Sequence, residues 1–188
     1  MGKPHFSFAD EIIYFTFRIR DLIHQRVEQL NRRYDHIKIR KTAKECGEGL
    51  KVKKFKSKVT PHTYLGKGVC FNGMKILGGG TVRIGNYFHS GEYCRILSEN
   101  HNYNSKESIP YDSKYIYKSV IIGDCVWFGS SVTVMPGVTI GDGAIIQNGS
   151  TVVSDIPACA IAGGHPAKVF SYRDKNLFYK LMNEGKFK

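Results

Sequence analysis

The sequence predicts a mainly β chain: a parallel solenoid of triangular cross-section, with an N-terminal helical segment and a short C-terminal helix or tail. Three observations predict it. First, an aliphatic or aromatic residue returns every six positions, at Ile122, Phe128, Val134, Ile140, Ile146 and Val152. Second, a small or branched residue follows most of these four positions later, at Val126, Val132, Val138, Ala144 and Ser150. Third, the same beat runs earlier through Leu65, Phe71 and Leu77. It slips at Gly78–Gly80, resumes at Ile84, Ser90 and Ile96, breaks over residues 98–115 and returns at Ile116. Neither a helix nor a single strand repeats at six. A strand of about four residues plus a corner of about two makes one side. Three sides close a coil of about eighteen residues, and coils stack in parallel ~4.8 Å apart.

Taken in chain order, residues 8–34 read as one helix or two short ones. Ile12, Phe15, Ile19, Leu22, Ile23 and Val27 fall near helical spacing, and Asp10 and Glu11 suit the positive end of the helix dipole. Arginines line the rest. The segment is expected either to pack on the body or a neighbouring copy, or to rest on an anionic bilayer. Residues 35–60 are Lys-rich, and Val52, Lys53, Lys54 and Phe55 alternate like a charged edge strand. In the repeats, Gly85, Gly123 and Gly141, followed by Asn86, Asp124 and Asp142, are expected to form corners with left-handed backbone. The domain boundaries expected are 1–60, a basic N-terminal helical or capping segment; 61–170, the solenoid with loop 98–115; and 171–188, a basic C-terminal segment.

The net charge of +12 is uneven. Residues 1–60 hold 15 basic and 7 acidic side chains, residues 61–165 hold 7 of each, and residues 166–188 hold 6 and 2. A nucleic-acid binder spreads charge along its docking face. Here the excess sits at the two ends, which points to a membrane surface or a phosphorylated small molecule instead. Five scattered cysteines without a CxxC pair read as reduced thiols of a cytoplasmic protein. The longest early apolar run, Ile12–Phe17, stops at Arg18, so no secretory signal is expected.

The stretch "IGDCVWFGSSVTVMPGVTIGDGAIIQNGSTVVSDIPACAIAGGHPAKVF", Ile122–Phe170, resembles the hexapeptide-repeat acetyltransferases, in their galactoside, maltose, xenobiotic and polysaccharide O-acetyltransferase branch. The resemblance covers about residues 60–170. It implies a left-handed parallel β-helix, homotrimers with clefts between subunits and acetyl-CoA as donor. No metal is expected, because the paired HxxxxH spacing of zinc-carrying proteins with this prism is missing. The resemblance implies His101, in the interrupting loop, as general base. A histidine titrates near working pH and suits removal of a hydroxyl proton. Asn72 is similar to the family's acceptor-binding asparagine, and Trp127 to the residue walling the cleft beside both acceptor and thioester. For the coenzyme, the resemblance implies Gly129 and Ser130, the corner Asn148–Gly149, the close-approach residues Ala162, Gly163 and Gly164, and Lys168 for the nucleotide phosphate, with Arg173 in the same field. A covalent step is not expected.

The function expected is O-acetylation of a saccharide acceptor, in surface-polysaccharide or lipid-linked saccharide assembly. An N-acetyltransferase of a nucleotide-linked amino sugar and a drug acetyltransferase are the alternatives. A non-enzymatic basic module and a purely structural trimer are readings of a different class. His62, His89 and His101 are an alternative as metal ligands.

Overall fold

The computed structural model describes residues 7–53 and 56–187. Three parallel sheets wind around one apolar prism. The first face stacks Glu45–Cys46, Thr63–Leu65, Val82–Ile84, Val120–Ile122 and Thr139–Ile140. The second stacks Lys51–Val52, Cys70–Asn72, His89–Glu92, Trp127–Phe128, Ile145–Ile146 and Ala160–Gly164. The third stacks Lys75–Leu77, Arg95–Leu97, Thr133–Val134 and Thr151–Val152. The first coil is therefore laid down by residues before 61. Lys51–Val52 is a strand of the second face, paired with Cys70–Phe71; Lys54 and Phe55 lie outside the described residues.

The six-residue beat fills the prism. Ile122, Phe128, Val134, Ile140, Ile146 and Val152 are all buried, as are Val126, Val132, Val138, Ala144 and Ser150. Phe128 stacks edge-on against Phe88, which meets Phe71 the same way. In-register spacing between coils is 18 residues where the pattern is regular, as in the bond from the Asp124 amide to Asp142.

Three expectations are corrected. Ile76, not Leu77, is the inward residue of its strand, in register with Ile96. Ile116 does not rejoin the prism: Tyr115–Tyr117 pairs antiparallel with Glu99–His101, and parallel stacking resumes at Val120. The corner glycines Gly85, Gly123 and Gly141 are not the left-handed residues. Those lie two positions on, at Tyr87, Cys125 and Gly143. Gly85 and Gly123 are required for close approach instead, since a Cβ there would stand 2.6 Å from the Gly123 carbonyl carbon and 2.7 Å from the Asp142 amide nitrogen. The Asx residues that follow bind coil to coil: Asn86 Oδ1 accepts from the Lys67 amide, Asp124 Oδ1 from Asn86, and Asp142 Oδ1 from Asp124.

The N-terminal segment is one helix, α1, Phe8–Thr42, about 50 Å long. It starts with a capping box between Ser7 and Asp10. From Phe8 to Tyr34 only Glu28 is even half-buried, so this part does not pack on its own body. The helix is anchored at its far end. Ile39 is buried, and the buried Asp35 carboxylate accepts the Ser57 amide at 3.0 Å. At the other end of the solenoid, Ala167–Tyr172 pairs antiparallel on Ala160–Gly164. A second helix, α2, Lys175–Asn183, then presses Phe178 onto Gly143. Phe187 stacks on Tyr87 at 3.7 Å, so the C-terminal segment runs along the corner between first and second faces.

Candidate active site

His101 stands on a hairpin that interrupts the coil. Between Asn86 and Asp124 the inter-coil spacing is 38 residues instead of 18, an insertion of 38 − 18 = 20. The hairpin leaves the prism at the corner between third and first faces. Its root sits on Gly78–Gly80: the Gly79 amide donates to Glu99 at 2.7 Å, and the Lys118 amide to the Ser98 carbonyl. A Cβ at Gly79 would stand 2.6 Å from the Tyr117 ring and one at Gly78 2.6 Å from Ser98 Oγ. The three glycines thus make the seat of the hairpin as well as the slip in the beat.

On the hairpin the His101 ring stacks on Tyr111 at 3.9 Å and leans on Tyr115 at 4.7 Å. Behind it, Asn102 donates to Asp112 at 2.8 Å, and the Lys114 amide donates to the other Asp112 oxygen at 2.8 Å. Burial raises the Asp112 pKa. The Lys114 amide, Asn102, Ser105 and the Lys114 charge outweigh that and hold the carboxyl below its ordinary range. Sequence reasoning missed Tyr111, Tyr115 and Asp112. Only their clustering in the interrupted stretch could have signalled them.

Trp127 points outward from the second face and is 51% exposed, while its neighbour Phe128 is fully buried. Its in-register neighbours are His89 and Ile145. His89 therefore sits beside Trp127 on the outer surface and is half-buried there. The corner between second and third faces collects most of the expected coenzyme residues. Asn148 Oδ1 accepts the Ser130 amide at 2.8 Å, and the Gly149 amide donates to the Ser130 carbonyl. Gly129 admits no side chain, since its Cβ would meet the Asn148 amide nitrogen at 2.6 Å. One coil on, the Gly164 amide donates to Ser150 Oγ, Ala162 is buried, and Gly163 stands opposite an exposed Lys168. Asn72 is at the same corner nearer the N-terminal end. Its backbone amide donates to Ser90 Oγ, and its Oδ1 is buried without a hydrogen bond among the described residues.

Two separations matter. Arg173 is not with Lys168. It lies at the opposite end of the antiparallel strand, over Phe178 and near Cys125 and Cys159, whose thiols burial raises and the Arg173 charge only partly offsets. The His101 hairpin and the Trp127–Asn148 set leave opposite edges of the third face, and no hydrogen bond joins them among the described residues. The cysteines stay clear of this chemistry: Cys94 donates to the Gly129 carbonyl at 3.1 Å, and burial pushes its thiol up to about 11. No cluster of three or more metal-ligating side chains occurs among the described residues.

The fold and the repeat together define a class, the left-handed β-helix built from hexapeptide repeats. Residues 119–154 match the model of the bacterial transferase hexapeptide family (six repeats). Galactoside O-acetyltransferase of Escherichia coli (strain K12) is 45% identical over 64 residues, 32% of this chain and 32% of that protein. The structure is similar to a maltose O-acetyltransferase from Clostridium difficile 630, with TM-score 0.64, 26% identity and 73% of each chain covered. It is also similar to a galactoside acetyltransferase in complex with coenzyme A, with TM-score 0.58, 26% identity, and 70% and 67% of the two chains covered. The chain spans about a third of the length of the curated relatives it matches.

Proposed function

We propose that this chain is an acetyl-CoA-dependent O-acetyltransferase of a saccharide hydroxyl, with His101 as general base. The observation that carries the reading is a histidine held between two tyrosine rings on the one hairpin that breaks a hexapeptide β-helix. The structural likeness to two sugar acetyltransferases supports the chemistry. His101 takes the acceptor hydroxyl proton as the oxygen attacks the thioester carbonyl. A tetrahedral intermediate forms and collapses, the C–S bond breaks, and the imidazolium returns its proton to the departing thiolate. A backbone amide at Gly129 or Ser130 faces the oxyanion. Trp127 walls the acyl group, Asn148–Gly149 and Ala162–Gly164 line the pantetheine, and Lys168 meets the nucleotide phosphate as a point charge. Asn72 orients the acceptor.

The hairpin and the Trp127 set lie on opposite edges of one face, so the working unit is a homotrimer in which one copy's His101 meets a neighbour's Trp127 corner. The exposed apolar residues of α1 fit a peripheral hold on an anionic membrane, at the cytoplasmic face where lipid-linked saccharides are assembled. The domain reading is an α1 arm, a catalytic β-helix and a C-terminal segment that closes its end.

Calorimetry with acetyl-CoA tests the donor. Micromolar binding, weakened about tenfold or more in Lys168→Ala, is expected; absence of binding sinks the reading. In an acceptor screen of plain and amino sugars, His101→Ala should lower kcat by roughly 10²–10⁴ while leaving acetyl-CoA affinity near wild type. For α1, loss of liposome sedimentation on removing residues 1–34 is expected, and a truncated protein that still pellets rules the membrane arm out.

A further inference from the structure

The end of α1 and the first coils enclose a second feature, a cleft of about 1060 Å³. Its lining is strongly cationic. Arg32, Lys38, Lys53, Lys56, Lys58 and Lys75 face it, against two carboxylates, Glu28 and Asp35. Both carboxylates are already engaged: Asp35 holds the Ser57 amide, and Glu28 pairs with Arg32 at 3.4 Å. No ion pair is made by Lys53, Lys56, Lys58 or Lys75 among the described residues.

The arrangement on the third face is sharper still. Lys58 bridges to Lys75 in parallel register, and Lys75 pairs with Arg95. Three cations therefore stand in one ladder at ~4.8 Å intervals, where like charges directly opposite are destabilising. A neutral sugar would leave that repulsion in place. A ligand with two adjacent phosphates would relieve it, placing anions between the rungs.

The cleft is also continuous with the proposed acceptor site. Asn72 lines it, and Asn72 Oδ1 is a buried acceptor with no donor among the described residues, the partner a sugar hydroxyl supplies. Leu77 lines it as well, and the next residues, Gly78–Gly80, carry the root of the His101 hairpin.

We propose that this cleft binds the phosphate-bearing part of the acceptor, so that the acetylated saccharide is one linked through a diphosphate. The proposal rests on the transferase reading and names its substrate class. Diphosphate can come from a nucleotide or from a lipid carrier, and the experiment separates them.

The full chain is titrated with a uridine-diphosphate hexose, with the same hexose on polyprenyl diphosphate in detergent micelles, and with the free hexose. Acetyl-CoA is omitted. Binding of at least one diphosphate form is expected, at least 100-fold tighter than the free sugar and weakening with salt. Lys58→Gln with Lys75→Gln should lose at least tenfold for that form, while acetyl-CoA affinity, measured separately, stays within twofold. The preferred arm identifies the source. Equal affinity for free and diphosphate-linked sugar, or a double variant that weakens acetyl-CoA instead, overturns the proposal. If acetyl-CoA binds and neither diphosphate form does, the acceptor class is wrong and the transferase reading stands. If acetyl-CoA fails to bind wild type, that reading fails on its own account. Far-ultraviolet circular dichroism of the double variant confirms folding; both positions are exposed and outside the prism.

Discussion

At the residue scale, the inward positions carry the stability and the corners carry the constraints. Phe128 is fully buried in the prism against the Phe88 ring, so Phe128→Ala removes both transfer energy and packing. A loss of roughly 3–5 kcal/mol is expected, read from the denaturant midpoint. Cys94 should resist labelling: with its thiol raised to about 11 and its side chain buried, a thiol reagent at pH 8 is expected to modify it only after unfolding. The half-buried Cys46 is the comparison. Asp112 supplies a pH dependence. Its native pKa is depressed, so its contribution is complete above the unfolded value of ~3.9 and is lost as pH falls through the lower native value. An NMR titration of the Asn102 side-chain amide should move in that acid window and stay flat in Asp112→Asn. Inward residues were legible in the sequence because burial imposes a period on residue type. Ile76 was misread because the side before it is one residue short, and a phase slip leaves no mark of its own in composition. The stacking of Tyr111 on His101 was illegible, since a loop's internal contacts follow no period.

At the scale of elements, the hairpin and α1 differ in how they are held. The hairpin is fixed at its root by Gly78–Gly80, where side chains would collide with Ser98 and Tyr117. Gly80→Ala, whose Cβ would press on the Lys118 carbonyl, should destabilise by about 1–3 kcal/mol and loosen the hairpin first. Hydrogen exchange at Lys118 should rise before exchange in the prism does. By contrast, α1 is held by one end. Asp35→Ala leaves the Ser57 amide unpaired, at a cost of about 1–3 kcal/mol. Faster exchange confined to Ser57 and the last turns of α1 is the outcome expected. A helix over 8–34 was legible from its apolar spacing, but its continuation to Thr42 was hidden by Lys and Arg, whose long stems are good helix formers without forming an apolar stripe. Likewise the first coil was hidden, because a terminal coil faces one neighbour only and needs fewer aliphatic residues.

At the scale of the whole molecule, charge and shape are partitioned. Residues 61–165 carry no net charge, while the excess cations gather in the α1 arm, the cleft beneath it and the C-terminal segment. The separation of the hairpin from the Trp127 corner is a whole-molecule fact, and it predicts that activity depends on assembly. Light scattering should give three times the 21.2 kDa chain mass, and His101→Ala mixed with Trp127→Ala subunits should recover part of the activity that each lacks alone. Failure of such complementation would place both residues in one copy's site.

Stacked coils also give the chain a mechanical signature. Each coil touches only the coils beside it, so a chain pulled from its ends should come apart rung by rung. The regular coils would release about 18 residues each, lengthening the tether by roughly 60 Å per step. The coil that carries the hairpin holds 38, and should appear in the force trace as one jump of roughly 130 Å. A single-molecule pulling record would thus mark, by one double-length stride, where along the solenoid the histidine hairpin was inserted.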